Sequence, residues 1–476
     1  MSPTPSIAII GGGFSGLMVA ANLIRLASRS ITLYLIEKTP NLAKGVAYST
    51  TDPFHLLNVP AVQMGVFAAE PAGFYQWVIE HEEQWRQADP SFVSLTIFPQ
   101  AFLPRKLYGL YLQSIFKGMG EEAEQKNIRL ECIQNEVLAI DQQGENELCL
   151  ALRSQSLICD YAVLAIGLPP TKELDEVPPS IANSSHYISD IWSNQAVIHN
   201  LLELDKKGVR QPQILILGTG LTMVDACMSL FIRGFKGQVH ALSKSGHLPE
   251  AHRHQDKSYF LKLPTPLPKT ARALFRWIRE LIKNGYLAGY DWRPLFDALR
   301  PYTQTLWTSL PTKEQLKAAR LFSLWNKHRH RIPPHCLDRL TEQQQSGHLT
   351  LLAGWIESMT ERNHVIHVRY WNSKKKVHQN LTVDAIWNCT GPTLDIRKNS
   401  TPILRDLISK GFLIFDHLFL GIQSTNYGQV KGSLFPRLYV IGGLCFGEKL
   451  ETTAVPELKQ QALTIAQKLC QEIELN

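Results

Sequence analysis

Apolar and polar positions divide the chain into short β-branched runs, each closed by glycine, with helical stretches between them. Ile7-Ala8-Ile9-Ile10 stops at Gly11-Gly12-Gly13-Phe14-Ser15-Gly16. An Ala/Leu-rich stretch from Leu17 to Ala27 has helical character, and a second strand from Ile31 to Ile36 ends in Glu37. Strand, helix and strand in that order make a βαβ unit. The order returns at mid-chain: Gln213 to Leu217, a helix opened by Gly218-Thr219-Gly220-Leu221-Thr222-Met223 and running to about Arg233, then Gln238 to Leu242. Three more apolar runs close on glycine, at Gly167, Gly391 and Gly442.

The glycine spacing has a chemical meaning. Gly11, Gly13 and Gly16 fit GxGxxG, with Phe14 and Ser15 filling the intervening positions. The pattern supplies a tight turn, close backbone approach to a diphosphate, and close helix–strand packing. The diphosphate then meets the free N–H groups of a helix N-terminus. Glu37, 21 residues after Gly16, suits a carboxylate that accepts hydrogen bonds from ribose hydroxyls. At the second unit Gly218 and Gly220 keep the turn, Leu221 and Thr222 open the helix, and Met223 replaces the third glycine. Ser243 and Lys244 stand where the acid would be, and a hydroxyl beside a cation favours the 2′-phosphate of NADPH over NADH. Two such units imply two different dinucleotides, FAD and NADPH. Thr452 and Thr453 precede a helix that Pro456 can enter in its first turn, either aiming N–H groups at the flavin or simply capping the helix. The expected fold is α/β: two Rossmann-like dinucleotide-binding domains, the second inserted in the first, plus a helical insertion. The expected spans are 1–175 (FAD domain), 176–250 (nicotinamide domain), 251–345 (insertion) and 346–476 (return to the FAD domain).

The motifs resemble a family of bacterial FAD/NAD(P)-binding flavoproteins related to flavin-dependent monooxygenases and N-hydroxylases. The likeness is carried by Gly45-Val46-Ala47-Tyr48, Asp52-Pro53, the run from His55 to Pro60, Pro104-Arg105 and Tyr108-Gly109. It continues through Gly218 to Asp225, Ser243 to Gly246, Trp325 with His328 to Arg331, and Glu451 to Leu458. The resemblance implies an FAD-bound fold with Tyr48, Asn58 and Arg105 near the flavin, and Gly167 and Gly391 where the chain crosses between domains. Two features depart from related enzymes. No CxxC or CxxxxC pair exists to relay electrons to a disulfide, and no FxGxxxH precedes the second unit. His186, the nearest echo of that histidine, therefore receives no catalytic role.

Composition changes the picture in one place. The chain has 476 residues, 44% hydrophobic and 19% charged, enough for a large core and unlike a disordered chain. Its net charge is +7, yet residues 251–345 alone hold 17 Lys plus Arg against 7 Asp plus Glu, a net of +10. Helices are expected there from Ala271 to Ile282 and from Lys313 to His330. The surplus fits helix capping, an anionic small substrate, or coenzyme phosphate, and nucleic acid less well, because its tryptophans fall at helical spacing. His252 and His254 are too short a motif for a metal site, so no metal is expected. Eight scattered cysteines, no basic leader and no long apolar run point to a cytoplasmic protein without a membrane span. The expected function is an FAD- and NAD(P)H-dependent oxidoreductase, a monooxygenase of a small polar metabolite. The alternatives are a flavin reductase or dehydrogenase, and a flavin-binding redox sensor. No residue stands out as acid, base or nucleophile, and oligomeric state is not legible.

Overall fold

A computed structural model describes residues 4–144, 146–193, 196–253, 258–432, 434 and 436–475. Its strands, in chain order, are β1 (Ser6–Ile10), β2 (Thr32–Glu37), β3 (Arg129–Gln134), β4 (Val137–Gln143), β5 (Glu147–Leu152), β6 (Ser156–Cys159), β7 (Tyr161–Leu164) and β8 (Tyr187–Ile188). They continue with β9 (Gln213–Leu217), β10 (Gln238–Ser243), β11 (Leu349–Arg362), β12 (Val365–Asn372), β13 (Val377–Val383), β14 (Ala385–Asn388) and β15 (Leu438–Val440). The helices that shape the site are α1 (Phe14–Leu26), α2 (Arg105–Gln125), α3 (Ala196–Lys206), α4 (Leu221–Ile232) and α5 (Ala271–Leu287). They are followed by α6 (Trp292–Leu299), α7 (Thr312–Ala319), α8 (Phe322–Arg329), α9 (Pro334–Gln345) and α10 (Val455–Leu475).

The first sheet has the order β15-β7-β1-β2-β3, all parallel, with Ile7 opposite both Leu33 and Tyr161. Both of its faces are covered, as a parallel sheet requires. Ile7 and Ile9 pack with α1, α2 and α10, whereas Ala8 and Ile10 pack with the three-stranded sheet β4-β5-β6. This is the period-2 alternation of a strand, with both sides apolar. Gly16 lets α1 lie against the end of β1: a Cβ there would overlap the Gly11 carbonyl oxygen.

The second sheet has the order β13-β12-β11-β10-β9-β14-β8. Strands β11, β10, β9, β14 and β8 run parallel, and β12 and β13 add an antiparallel meander. Residues 349–388, expected in the returning FAD domain, therefore belong to this sheet. The long strand β11 pairs β10 first and then turns back on itself through β12, which keeps the chain in the second domain until β14. Helix α9, expected in the insertion, also belongs here, since Cys336 and Leu340 share a core with Met223 and Cys227 of α4. The insertion proper is α5 to α8, with a separate core around Leu274, Ile278, Leu295, Leu299 and Trp307. The helix expected over 313–330 is two, α7 and α8, broken at Arg320-Leu321. Among the described residues no helix is long and apolar enough to cross a membrane.

The chain passes between the two sheets twice, and the two passages pair with each other. Thr171 bridges Pro392, the Lys172 N–H donates to the Gly391 carbonyl at 3.0 Å, and the Thr393 N–H donates to the Pro170 carbonyl at 3.0 Å. Gly167 (φ +77°) and Gly391 (φ +85°) both turn the chain into this crossing in the left-handed region that favours glycine.

The contrast between two glycines gives a check. Gly16→Ala should cost at least about 1–3 kcal/mol, because the clash is with backbone that cannot yield. Gly220→Ala meets nothing within 4 Å and sits at φ −84°, so it should cost under about 1 kcal/mol. Thermal melts of the two variants against the parent would show that order.

Candidate functional site

The carboxyl ends of β1, β2, β7 and β15 converge on one cradle. Gly11 leaves β1 at φ +106°, its N–H bonded to the Ile36 carbonyl at 2.8 Å. Gly13 stands at the N-cap of α1 and offers no side-chain cap, so the first-turn N–H groups face outward for an anion. Phe14 is buried, with its ring edge-on to Tyr48 at 6.2 Å, so its part in that turn is through the backbone. Glu37 is fixed at the end of β2: Oε2 accepts from the Gly12 N–H at 2.9 Å, and Oε1 accepts from the N–H and hydroxyl of Thr39, each at 2.9 Å. Each carboxylate oxygen retains lone pairs for a further donor.

β15 brings the C-terminal motif to the same place. Gly442 (φ +80°) lies beside Ser15: a Cβ on it would sit 3.6 Å from Ser15 Oγ and 3.8 Å from the Thr452 carbonyl. Thr452 is completely buried, yet its hydroxyl finds no hydrogen-bond partner among the described residues. Thr453 is exposed, and α10 begins at Val455 with Pro456 in its first turn. Gly167 lies across from Gly443, with its carbonyl 3.3 Å from where a Cβ on Gly443 would be.

The second cradle repeats the plan more loosely. Gly218 (φ +103°) donates its N–H to the Leu242 carbonyl at 2.8 Å, and Gly220 caps α4 with open space around it. Leu221 and Thr222 form the half-buried first turn, and Met223 is fully buried in the core. Ser243 Oγ lies 2.9 Å from Thr219 Oγ1 and accepts from the Gly246 N–H at 3.0 Å, so the hydroxyl fixes the loop. Lys244 is exposed and forms no ion pair with any described residue.

Between the cradles lies a polar network that the sequence reading did not assemble. Arg105, at the start of α2, places Nη2 2.9 Å from Asp225 Oδ2 on α4 and donates Nε–H to the Leu56 carbonyl at 3.0 Å. Its guanidinium lies 5.2 Å from the Trp192 ring centre. Burial pushes the Asp225 carboxyl up, and Arg105 opposes that push. One turn along α4, the Ser229 hydroxyl donates to Asp52 Oδ2 at 2.6 Å, and Arg233 donates to the same oxygen at 2.8 Å. With its proton committed to Asp52, Ser229 Oγ can only accept from His55 Nε2, at 2.9 Å. His55 Nδ1 faces Thr50 Oγ1 at 2.8 Å, and burial lowers the imidazole's pKa, so the neutral ring accepts there.

Arg105, Asn58 and Tyr48 had been placed beside the flavin through the family likeness. Here the Arg105 guanidinium is turned to α4, the Asn58 carbonyl accepts from His252 Nε2 at 2.9 Å, and Tyr48 packs on Tyr108 with ring centres 4.7 Å apart. Burial pushes the Tyr48 hydroxyl up to about 12 despite Arg105 nearby. His252 is taken up by that bond, and His254 lies outside the described residues. The visible clue to the network was Asp225 and Ser229 in the otherwise apolar helix Leu-Thr-Met-Val-Asp-Ala-Cys-Met-Ser-Leu-Phe-Ile. Both polar residues sit one turn apart on a buried face, which demands partners from elsewhere.

The basic insertion clasps the loop leading into α10. Trp307 Nε1 donates to the Gly447 carbonyl at 3.1 Å, and Gln304 donates to the Glu448 carbonyl at 2.7 Å. Trp325 Nε1 donates to Glu451 Oε1 at 3.0 Å, and Arg329 Nε lies 2.8 Å from Glu451 Oε2. Arg300 grips Glu457 with two bonds of 2.5 and 2.6 Å. Arg293 and Arg331 are matched within or beside the insertion by Asp291 and Asp297.

Residues 8–169 match the family described as FAD-NAD(P)-binding. The matched span holds the first βαβ unit and the motifs from Gly45 to Gly109. A search of curated proteins returns no match. Among solved structures, ornithine N-hydroxylase KtzI from Kutzneria sp. 744 is similar with a TM-score of 0.63 and 13% identity, over 99% of this chain and 100% of that one. The reduced form of ornithine hydroxylase PvdA from Pseudomonas aeruginosa gives 0.65 and 16%, over 98% and 99%. Bacillithiol disulfide reductase Bdr (YpdA) from Staphylococcus aureus gives 0.57 and 12%, over 99% of each chain. At these identities the likeness establishes the fold, two dinucleotide-binding domains with the second inserted in the first.

The buried pair makes a sharp prediction. Arg105→Met leaves Asp225 buried without a counter-charge and should cost about 3–5 kcal/mol. The double variant Arg105→Met/Asp225→Leu should regain most of that loss. Denaturant midpoints of parent, single and double variants check the order, and a double variant no more stable than the single one would contradict it.

Proposed function

We propose that the chain is an FAD-dependent, NADPH-using monooxygenase of a small amine. The observation that carries the flavin assignment is the first cradle, where the uncapped first turn of α1 follows Gly11 and Gly13, and Glu37 is held at the end of β2 beside it. The open first turn of α1 suits a diphosphate. Gly11, Gly13, Ser15 and Gly16 would take the diphosphate through backbone N–H groups, Glu37 the ribose hydroxyls, and Gly442, Thr452 and the Thr453 backbone the flavin side. FAD, when bound, supplies hydride acceptance from the nicotinamide and activation of oxygen. Gly218, Gly220, Leu221, Thr222 and Lys244 would hold NADPH, with the unpaired Lys244 ammonium on the 2′-phosphate and Ser243 shaping its loop. The insertion keeps water away from the loop at 447–457 by covering it with Trp307 and Trp325.

Oxygenation is favoured over disulfide reduction by the cysteines. All eight are free thiols. Cys445, which lies on the flavin motif itself, is buried, and burial pushes its thiol up to about 11, far from a reactive thiolate. Two of the similar structures are named as ornithine hydroxylases, and that supports an amine as substrate. The expected anionic character of the substrate gains no support from the insertion, whose inward-facing arginines already have carboxylate partners. Reduced thiols agree with a cytoplasmic location.

The test is anaerobic. The purified yellow protein should bleach with NADPH and, on readmitting air, consume oxygen in proportion to N-hydroxylated product from ornithine, lysine or a diamine. Bleaching without product from any amine would indicate a reductase, and no bleaching with either nicotinamide would indicate a non-catalytic flavin module. Lys244→Ala should reduce the preference for NADPH over NADH by about tenfold or more, the equivalent of one charge-assisted contact, with flavin content unchanged. An unchanged preference would remove Lys244 from the coenzyme site.

A further inference from the structure

At the opposite end of the second sheet from the nucleotide loop, three ligand-bearing side chains meet. His186 precedes β8, Glu361 lies near the end of β11, and His364 sits in the turn to β12; their ligand atoms all fall within 4.8 Å of one another. We propose that His186, Glu361 and His364 bind one divalent transition-metal ion of the zinc class.

Each ligand is prepared differently. His186 is buried, and its Nδ1 lies 2.7 Å from the Asp384 carbonyl oxygen, which can only accept. Nδ1 therefore carries the proton, and Nε2 presents its lone pair. This is the arrangement that fixes a metal-binding imidazole, with the second ring nitrogen donating to a backbone carbonyl. Nε2 already has a cation against it: the Lys207 ammonium at 3.1 Å, just beyond the end of α3. Lys207 is exposed and free to swing into solvent, so its ammonium marks a place where positive charge is accepted and can be exchanged.

His364 and Asn363 are the two central residues of the β11–β12 hairpin, at φ +65° and +51°, since Arg362 pairs directly with Val365. Such a turn is best served by glycine or asparagine. A histidine at the second position is held in a left-handed conformation with its ring directed to the other two ligands. Glu361, two residues before the turn, forms no ion pair with any described residue. Two imidazoles and one carboxylate suit zinc, cobalt or nickel over calcium or magnesium, and leave a fourth position for water. The ion would pin the hairpin tip to the edge strand β8, elements that no described backbone hydrogen bond joins. The set was illegible in the sequence because its first member is far along the chain from the other two.

The experiment uses the whole protein after chelator treatment and desalting. Titration with Zn²⁺ by calorimetry, and with Co²⁺ by visible absorption, should show one ion per chain. His364→Ala, on the exposed turn, and Glu361→Gln, at the exposed end of β11, should each weaken binding at least tenfold. Lys207→Met should tighten it severalfold by removing the competing ammonium. Absence of saturable binding in the parent, or equal affinity in parent and His364→Ala, would overturn the proposal.

Discussion

A carboxylate on a buried helix face cannot remain without a counter-charge, and Asp225 has none within its own domain. Arg105, from the other domain, supplies it at 2.9 Å. The relative placement of the two nucleotide cradles depends on this pair. Desolvating both ions costs several kcal/mol, so the pair contributes little net stability. Its effect is selective: any docking that separates the two strands an unmatched charge. Ser229, Asp52, Arg233 and His55 extend the same rule one turn along α4, with each polar atom assigned a donor or an acceptor. The paired linkers at Thr171 and Pro392 allow the domains to meet, and the buried network decides where.

The two βαβ units were legible because their constraints are local. Gly11 and Gly218 carry φ values of +106° and +103°, which glycine alone adopts freely, and both sit where a strand hands over to a helix. Glu37 and Lys244 follow from counting along a strand. The network was not legible, since it joins residues near 52, 105 and 225 that no spacing rule relates. Asn58 and Arg105 were named by likeness alone; the motif positions are recognisable, but neither the Arg105 pairing to Asp225 nor the bond from His252 to the Asn58 carbonyl can be read from them. That residues 349–388 join the second sheet was not legible for a related reason. A strand such as β11 gives no sign in its own sequence of which sheet it will extend, and its partner β10 lies more than a hundred residues earlier.

The charge of the insertion separates into two populations. Arg293, Arg300, Arg329 and Arg331 face inward and are matched by Asp291, Glu457, Glu451 and Asp297. Buried or part-buried arginines paired with carboxylates, Arg300 by two prongs, fix orientation more than they add stability. A net charge read from sequence counts them as free, when two of them are spent on holding the flavin-motif loop. The outward cations of α5, at 272, 276, 279 and 283, remain in solvent and account for much of the surplus.

Glu451 shows how these constraints meet at one residue. It sits at φ +64°, a conformation a glutamate rarely adopts, and it stays there because Trp325 and Arg329 hold its two carboxylate oxygens. The next residue is Thr452, which is completely buried. The same loop places the Thr452 carbonyl beside Gly442, which in turn lies beside Ser15, where the first βαβ unit opens its helix. The insertion therefore bears on the first cradle through the loop at 447–457, which it holds from outside. Its distance in sequence from Gly11 hides a dependence that the fold makes direct.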